Sequence, residues 1–153
     1  MKPALTKESL LDRKCYKHWT KVNLRYGDTD KLGHVNNAVF ITLFESGRAA
    51  LLFDREGSLA GPGKTMVLAN IDVDFKAEMH YPGDVEVGTA LVNIGRSSLK
   101  LAQVAYKDGF CCAVSLSTIV LIDEKTRKPI PFPFELARQV EQTAPLTLQA
   151  LQA

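Results

Sequence analysis

The sequence predicts an α+β fold in which an antiparallel sheet wraps around one long central helix. Three observations lead there. Residues 37–55 place Val39, Leu43, Phe44, Gly47, Ala50 and Leu51 at helical spacing, and Phe40, Ile41, Leu52 and Phe53 widen the apolar surface. A helix apolar over most of its circumference is buried on more than one side. After it, four strand-like segments follow one another with turn residues between them, and successive hairpins imply antiparallel pairing. One helix cannot cover both faces of a sheet, so the other face or an edge stays available for a partner subunit.

The elements follow in order. Residues 1–17 show no clean period and read as a frayed arm. From Trp19 to Tyr26 the chain alternates, with Thr20, Val22, Leu24 and Tyr26 on one face, which is a half-buried strand. A polar cluster, "GDTDKLGHVNN", leads into the helix, where Asn36 or Asn37 can cap the first turn. Gly47 is costly inside a helix unless something packs closely against it. "EGSLAGPGK" ends the helix with turn residues. Val67, Ala69, Ile71, Val73, Phe75 and Ala77 alternate along the next strand. Further strands run from Val85 to Ile94, Leu99 to Tyr106 and Cys111 to Ile122, separated by "YPGD", "IGRSS" and "KDGF". "DEKTRKPIPFP" is a loop, and Phe134 to Gln142 is a short terminal helix.

Composition narrows the function. The 153 residues favour one domain, 1–153, with its core in about 18–133. A formal net charge of +2 gives no reason to expect nucleic acid. No apolar run reaches the ~18 residues of a membrane span, and the first residues lack a signal-peptide core. Cys15, Cys111 and Cys112 are an odd, sparse set and read as reduced, buried thiols, which suits a cytoplasmic protein. His18, His34 and His80 have no metal-ligand spacing. His18 and His80 read as surface or interface residues.

Chemistry concentrates before the helix. Asp28 and Asp30 stand two residues apart, followed by His34, Asn36 and Asn37. A helix N-terminus presents unpaired N–H groups and partial positive charge. These aspartates and asparagines suit a capped, solvated loop. They equally suit acyl transfer, in which a base or nucleophile acts beside an electrostatic cradle for a developing oxyanion.

The loop "YGDTDKLGHVNNAVFITLFE" resembles the first-loop signature of hotdog-fold acyl-CoA thioesterases, the branch containing the 4-hydroxybenzoyl-CoA thioesterases. "IDVDFKAEMHYPGDVEV", "IGRSSLKL" and "DEKTRKPIPFP" resemble that family's second strand, central turn and exit segment, so the likeness spans about residues 18–133. It implies a hotdog fold and an enzyme that hydrolyses acyl-CoA to a carboxylic acid and CoA without a cofactor or metal. It implies that Asp30 is the catalytic carboxylate, acting as nucleophile or general base. It implies that the backbone N–H of Asn37 binds the thioester carbonyl. His34 and Asn36 resemble the "HVNN" form found also in plant acyl-ACP thioesterases, where the histidine belongs to the active site. Those enzymes carry an asparagine two residues after the aspartate, where this chain has Leu32. Arg96, Ser97 and Ser98 match the turn that contacts CoA phosphates. The family's sites lie between subunits of a homodimer, often within a homotetramer.

Other readings stay open. An acyl-ACP thioesterase and a non-catalytic acyl-CoA-binding hotdog domain fit the same pattern. Glu45 lies about 12 Å along the helix from Asn37, which favours pairing with Arg48 at i+3. "GPGK" is a turn rather than a phosphate loop.

Overall fold

The computed structural model describes residues 5–54 and 57–147. Strand β1 (His18–Asn23) precedes helix α1 (Asn37–Leu52). The pair β2 (Phe53–Asp54) and β3 (Gly57–Ser58) follows, then β4 (Lys64–Phe75), β5 (Asp84–Ile94), β6 (Ser98–Lys107), β7 (Phe110–Asp123) and helix α2 (Phe134–Thr143). Five strands form one antiparallel sheet in the order β1-β5-β6-β7-β4. This is the expected α+β arrangement. The small β2–β3 pair escaped the sequence reading, and it ends α1 early by drawing Phe53 into extended backbone. Arg55, the expected helix end, lies outside the described residues.

α1 lies over β1, β5 and β6. It buries Phe40, Leu43, Phe44, Gly47, Arg48, Leu51 and Leu52. At Gly47 the helix meets the sheet so closely that a Cβ would come 2.6 Å from Val87 Cγ1 and 2.8 Å from Gln103 Nε2. The glycine the helix tolerates poorly is the one that lets it dock. Ala38, Ile41, Thr42, Glu45 and Ala49 are exposed, so one side of the helix is open in the single chain. The expectation of burial on several sides is therefore corrected for the chain taken alone.

Two apolar clusters fill the inner face. Leu24, Val35, Phe40, Phe44, Val85 and Val87 surround the start of α1. Leu51, Leu52, Leu99, Leu101, Leu121 and Leu136 surround its end, and α2 covers them with Leu136 and Val140. A polar group lies between the clusters. Gln103 Nε2 donates to the Phe44 carbonyl at 2.9 Å and to Thr89 Oγ1 at 3.0 Å, which aims its oxygen at Arg48 Nη1, 3.2 Å away.

The outer face is not bare. Within residues 5–17 two short 3₁₀ turns bury Leu10 and Cys15, and with Tyr16 these pack on Ala90, Ala102, Val104, Tyr106 and Val114. Lys7 spans to Asp72 and Asp74 on β4, both at 2.7 Å. The expected frayed arm is thus a packed strap, at least from residue 5. Its sparse apolar residues sit on a surface that periodicity does not report. On β4 a bulge between Leu68 and Asn70 shifts the alternation. Met66 then packs inward on one side of it, with Ile71 and Val73 on the other. Strict alternation from Val67 is broken because the bulge adds one unpaired residue. β4 forms one edge of the sheet.

Candidate active site

Asp28 holds the loop between β1 and α1. Its buried carboxylate accepts from the Arg25 backbone N–H at 2.8 Å and from Arg25 Nη2 at 2.9 Å, while its carbonyl accepts from Asn36 N at 2.9 Å. Burial opposes ionisation of Asp28, but the backbone and side-chain bonds from Arg25 outweigh it and hold the carboxyl below its usual value.

Residues 29–35 form a small hairpin closed by a bridge between Thr29 and Val35. The Asp30 N–H donates to the His34 carbonyl at 2.8 Å, and Gly33, at φ +85°, makes the reversal. Asp30 Oδ1 accepts from Leu32 N at 2.9 Å, and Oδ2 has no partner among the described residues. Val35 N donates to the Met79 carbonyl at 2.7 Å, which fastens this hairpin to the connection between β4 and β5.

Asn36 is the cap: its side-chain oxygen accepts from Ala38 N at 2.9 Å. That oxygen is therefore already engaged. The Asn37 N–H has no partner among the described residues, as the first turn of a helix dictates. Beside it opens a cavity of about 270 Å³ lined by His34, Asn37, Phe40, Phe75, Glu78 and Met79 among others. Phe40 and Phe75 meet edge-on at 5.3 Å within its wall. Asp30 is not among the lining residues of the single chain.

Glu78 escaped the sequence reading, and His80 entered it only as a surface or interface residue. "KAEMHYPGD" reads there as strand and turn only. The missed signal is local: buried Met79 stands between two ionisable residues, which puts both on the other side of the chain. His80, expected at the surface, is exposed but stacks edge-on against His34 with ring centroids 5.4 Å apart.

Arg96 and Ser97 lie in the turn between β5 and β6, and Ser98 begins β6. Phe132 N donates to the Arg96 carbonyl at 2.8 Å and Leu121 N to the Ser97 carbonyl at 2.9 Å. This turn lies beside the cluster at the end of α1, whereas Asn37 lies at its start. The two ends of β5 are roughly 30 Å apart at the usual rise per residue. One chain does not bring these residues together. Glu45 and Arg48 do not form the expected pair either: Glu45 is exposed, while Arg48 turns inward to Gln103. Burial pulls the Arg48 pKa down, and Glu45 raises it in part. Among the described residues no three His, Cys, Asp or Glu side chains are placed to hold a metal ion.

An antiparallel sheet packed on one long helix, with an unpartnered N–H beside a cavity at the helix start, is the arrangement of a hotdog fold. Residues 24–140 match the thioesterase-like superfamily, and the chain belongs to that family. It is 26% identical over 116 residues, 73% of this chain and 84% of the relative, to the Bacillus subtilis (strain 168) protein named "Putative acyl-CoA thioesterase YneP". A thioesterase from Thermus thermophilus, solved as a complex with coenzyme A and Zn, superposes with a TM-score of 0.70. It shares 28% identity, with 82% of this chain and 98% of that one covered. The PA5185 protein of Pseudomonas aeruginosa PAO1 shares the fold with a TM-score of 0.78 at 23% identity, covering 86% of this chain and 94% of that one. Among the described residues no helix is long and apolar enough to cross a membrane.

Proposed function

We propose that this chain is an acyl-CoA thioesterase that hydrolyses an acyl-CoA thioester to a carboxylic acid and free CoA. The observation that carries the reading is the unpartnered Asn37 N–H beside the cavity at the start of α1. A thioester carbonyl placed there puts its developing negative charge on that N–H and on the positive end of the helix. One such donor contributes roughly 10²–10³-fold in rate. Asp30 supplies the reacting carboxylate, as nucleophile or general base, from the hairpin that adjoins His34. His34 lines the same cavity.

In this reading the working unit is a homodimer. The turn of Arg96, Ser97 and Ser98 reaches the nucleotide phosphates of the site at the partner's helix start, because its own lies at the far end of the sheet. The β4 edge offers unpaired backbone for strand pairing. Leu68 and Phe75 on that strand, and Ile41 on the open side of α1, are exposed apolar residues that a second copy covers. The free thiols of Cys15, Cys111 and Cys112 suit a cytoplasmic protein.

A panel of acyl-CoA substrates with a thiol reporter tests the activity. Turnover of at least one is expected, and absence of turnover across short, long, branched and aromatic acyl groups defeats the reading. Comparing CoA and carrier-protein forms of the best acyl group decides between them.

A further inference from the structure

Three ionisable side chains meet beside the cavity. His34 Nε2 lies 3.4 Å from Glu78 Oε1, and His80 Nε2 lies 3.6 Å from Glu78 Oε2. His80 Nδ1 is 3.3 Å from the Gly33 carbonyl oxygen. The bond from Val35 N to the Met79 carbonyl sets the two segments side by side, so the cluster is built by backbone as well as by side chains.

We propose that Glu78 and His80 are positioning residues that hold His34 as the base activating the hydrolytic water. The argument is one of donors and acceptors. An ionised carboxylate only accepts, so the His34 nitrogen facing it carries the proton. That leaves Nδ1 of His34 as the free lone pair, and no described residue bonds it. The His80 ring is placed beside His34 by its Nδ1 contact with the Gly33 carbonyl, and its Nε2 faces Glu78. The edge-on contact of the two rings, at 90°, limits rotation of His34. A base oriented by a carboxylate is the general arrangement of activated hydrolytic sites.

The proposal rests on the thioesterase reading and divides its labour. Asp30 attacks the thioester carbon, the C–S bond breaks and the electron pair leaves on sulfur as thiolate. Water then adds to the acyl carbon of the resulting anhydride, and its proton passes to Nδ1 of His34. The bond from that carbon to the Asp30 oxygen breaks and the carboxylate is restored. The departed thiolate takes a proton from solvent and His34 gives its proton back to solvent, so thioester and water give acid and thiol. Of the charged groups nearby, Lys76 is paired with Glu8, and the Asp30 carboxylate is tied up in the acyl bond while water adds.

The test combines three readouts on Glu78→Gln and His80→Gln. Steady-state kcat is expected to fall about tenfold and KM to fall with it, so that kcat/KM, which acylation sets, stays near wild type. Release of the first thiol equivalent per site is expected at the wild-type rate, giving a burst that the wild type hides. Glu78→Asp should recover part of each effect. Nitrogen NMR of the His34 ring reads the tautomer without turnover: protonated Nε2 in the wild type, a mixture in Glu78→Gln. Wild-type turnover with unchanged kcat in Glu78→Gln overturns this proposal alone. An equal loss in the first and later turnovers also overturns it. No thiol release by the wild type on any acyl-CoA overturns the thioesterase reading and this proposal together.

Discussion

Asp28 and Asp30 are two residues apart and do opposite work. Asp28 is buried and tied by Arg25 from both backbone and side chain. Asp30 spends one oxygen on the Leu32 N–H and keeps the other free among the described residues. Asp30→Asn is nearly isosteric but is a poor base and nucleophile. It is expected to fold normally and to lose on the order of 10²–10⁴-fold in kcat, as removal of a positioned catalytic group does. Near-wild-type turnover of the folded variant would end the assignment. Asp28→Asn should cost far less activity and show its effect in stability, by about 1 kcal/mol. Because the folded pKa of Asp28 lies below its unfolded value, the stability it contributes is fully present above pH ~4 and is lost as pH falls through the lower folded value. Urea midpoints of the two proteins should therefore differ at pH 7 and converge in acid. Arg96 is exposed, and its proposed phosphate contact weakens with salt. Arg96→Ala should raise KM for acyl-CoA about tenfold, about 1.4 kcal/mol of binding, with little change in kcat. An acyl-pantetheine lacks the nucleotide, so equal losses on both substrates would remove the phosphate role.

At the scale of elements, Gly47 sets how closely α1 seats on the sheet. A methyl group there meets Val87 and the amide of Gln103, and that amide is already fixed by Phe44 and Thr89. Gly47→Ala would gain helix propensity on an exposed helix. Here overpacking wins, and the expected loss is about 1–3 kcal/mol, read as a lower denaturation midpoint. An unchanged or higher midpoint would show that the helix can lift off the sheet at no cost. The presence of a helix over 37–52 was legible in its apolar spacing, and its close seat was anticipated from the glycine. The outer strap was not legible. Leu10, Cys15 and Tyr16 pack on a sheet face assembled from distant strands, and no local period records that. The bulge on β4 was hidden for a related reason: Val67 and Ala69 look as apolar as Met66 and Leu68, and only pairing with β7 decides which set turns inward.

At the scale of the whole molecule, the split between the helix start and the Arg96 turn is the decisive feature. If each site takes its turn from the second subunit, chains carrying Asp30→Asn and chains carrying Arg96→Ala should complement one another. Random exchange in a two-fold dimer pairs half of the chains as heterodimers, each with one intact site, or about a quarter of all sites. Activity at low acyl-CoA should rise on mixing to about that fraction of wild type. No gain on mixing, in a dimer shown to exchange, would place both groups in one chain's site. Sedimentation at dilute concentration adds a second check, since a folded and active monomer would defeat the dimer outright.

The sequence by itself determined the order of the long helix and the main-sheet strands, the antiparallel class, and a cap at Asn36 or Asn37. These depend on neighbours a few residues apart, where spacing and turn chemistry are read directly. It also carried the loop from Asp28 to Asn37, because a helix start and its cap are contiguous. Tertiary structure alone decided that Glu78 and His80 stand beside His34, since the backbone bond from Val35 to Met79 joins segments far apart in the chain. It also decided that Arg48 turns inward to Gln103, away from its helix neighbour Glu45. And it set the Arg96 turn at the opposite end of the sheet from Asn37, because register and strand length, summed over five strands, fix distances that no short stretch of sequence contains.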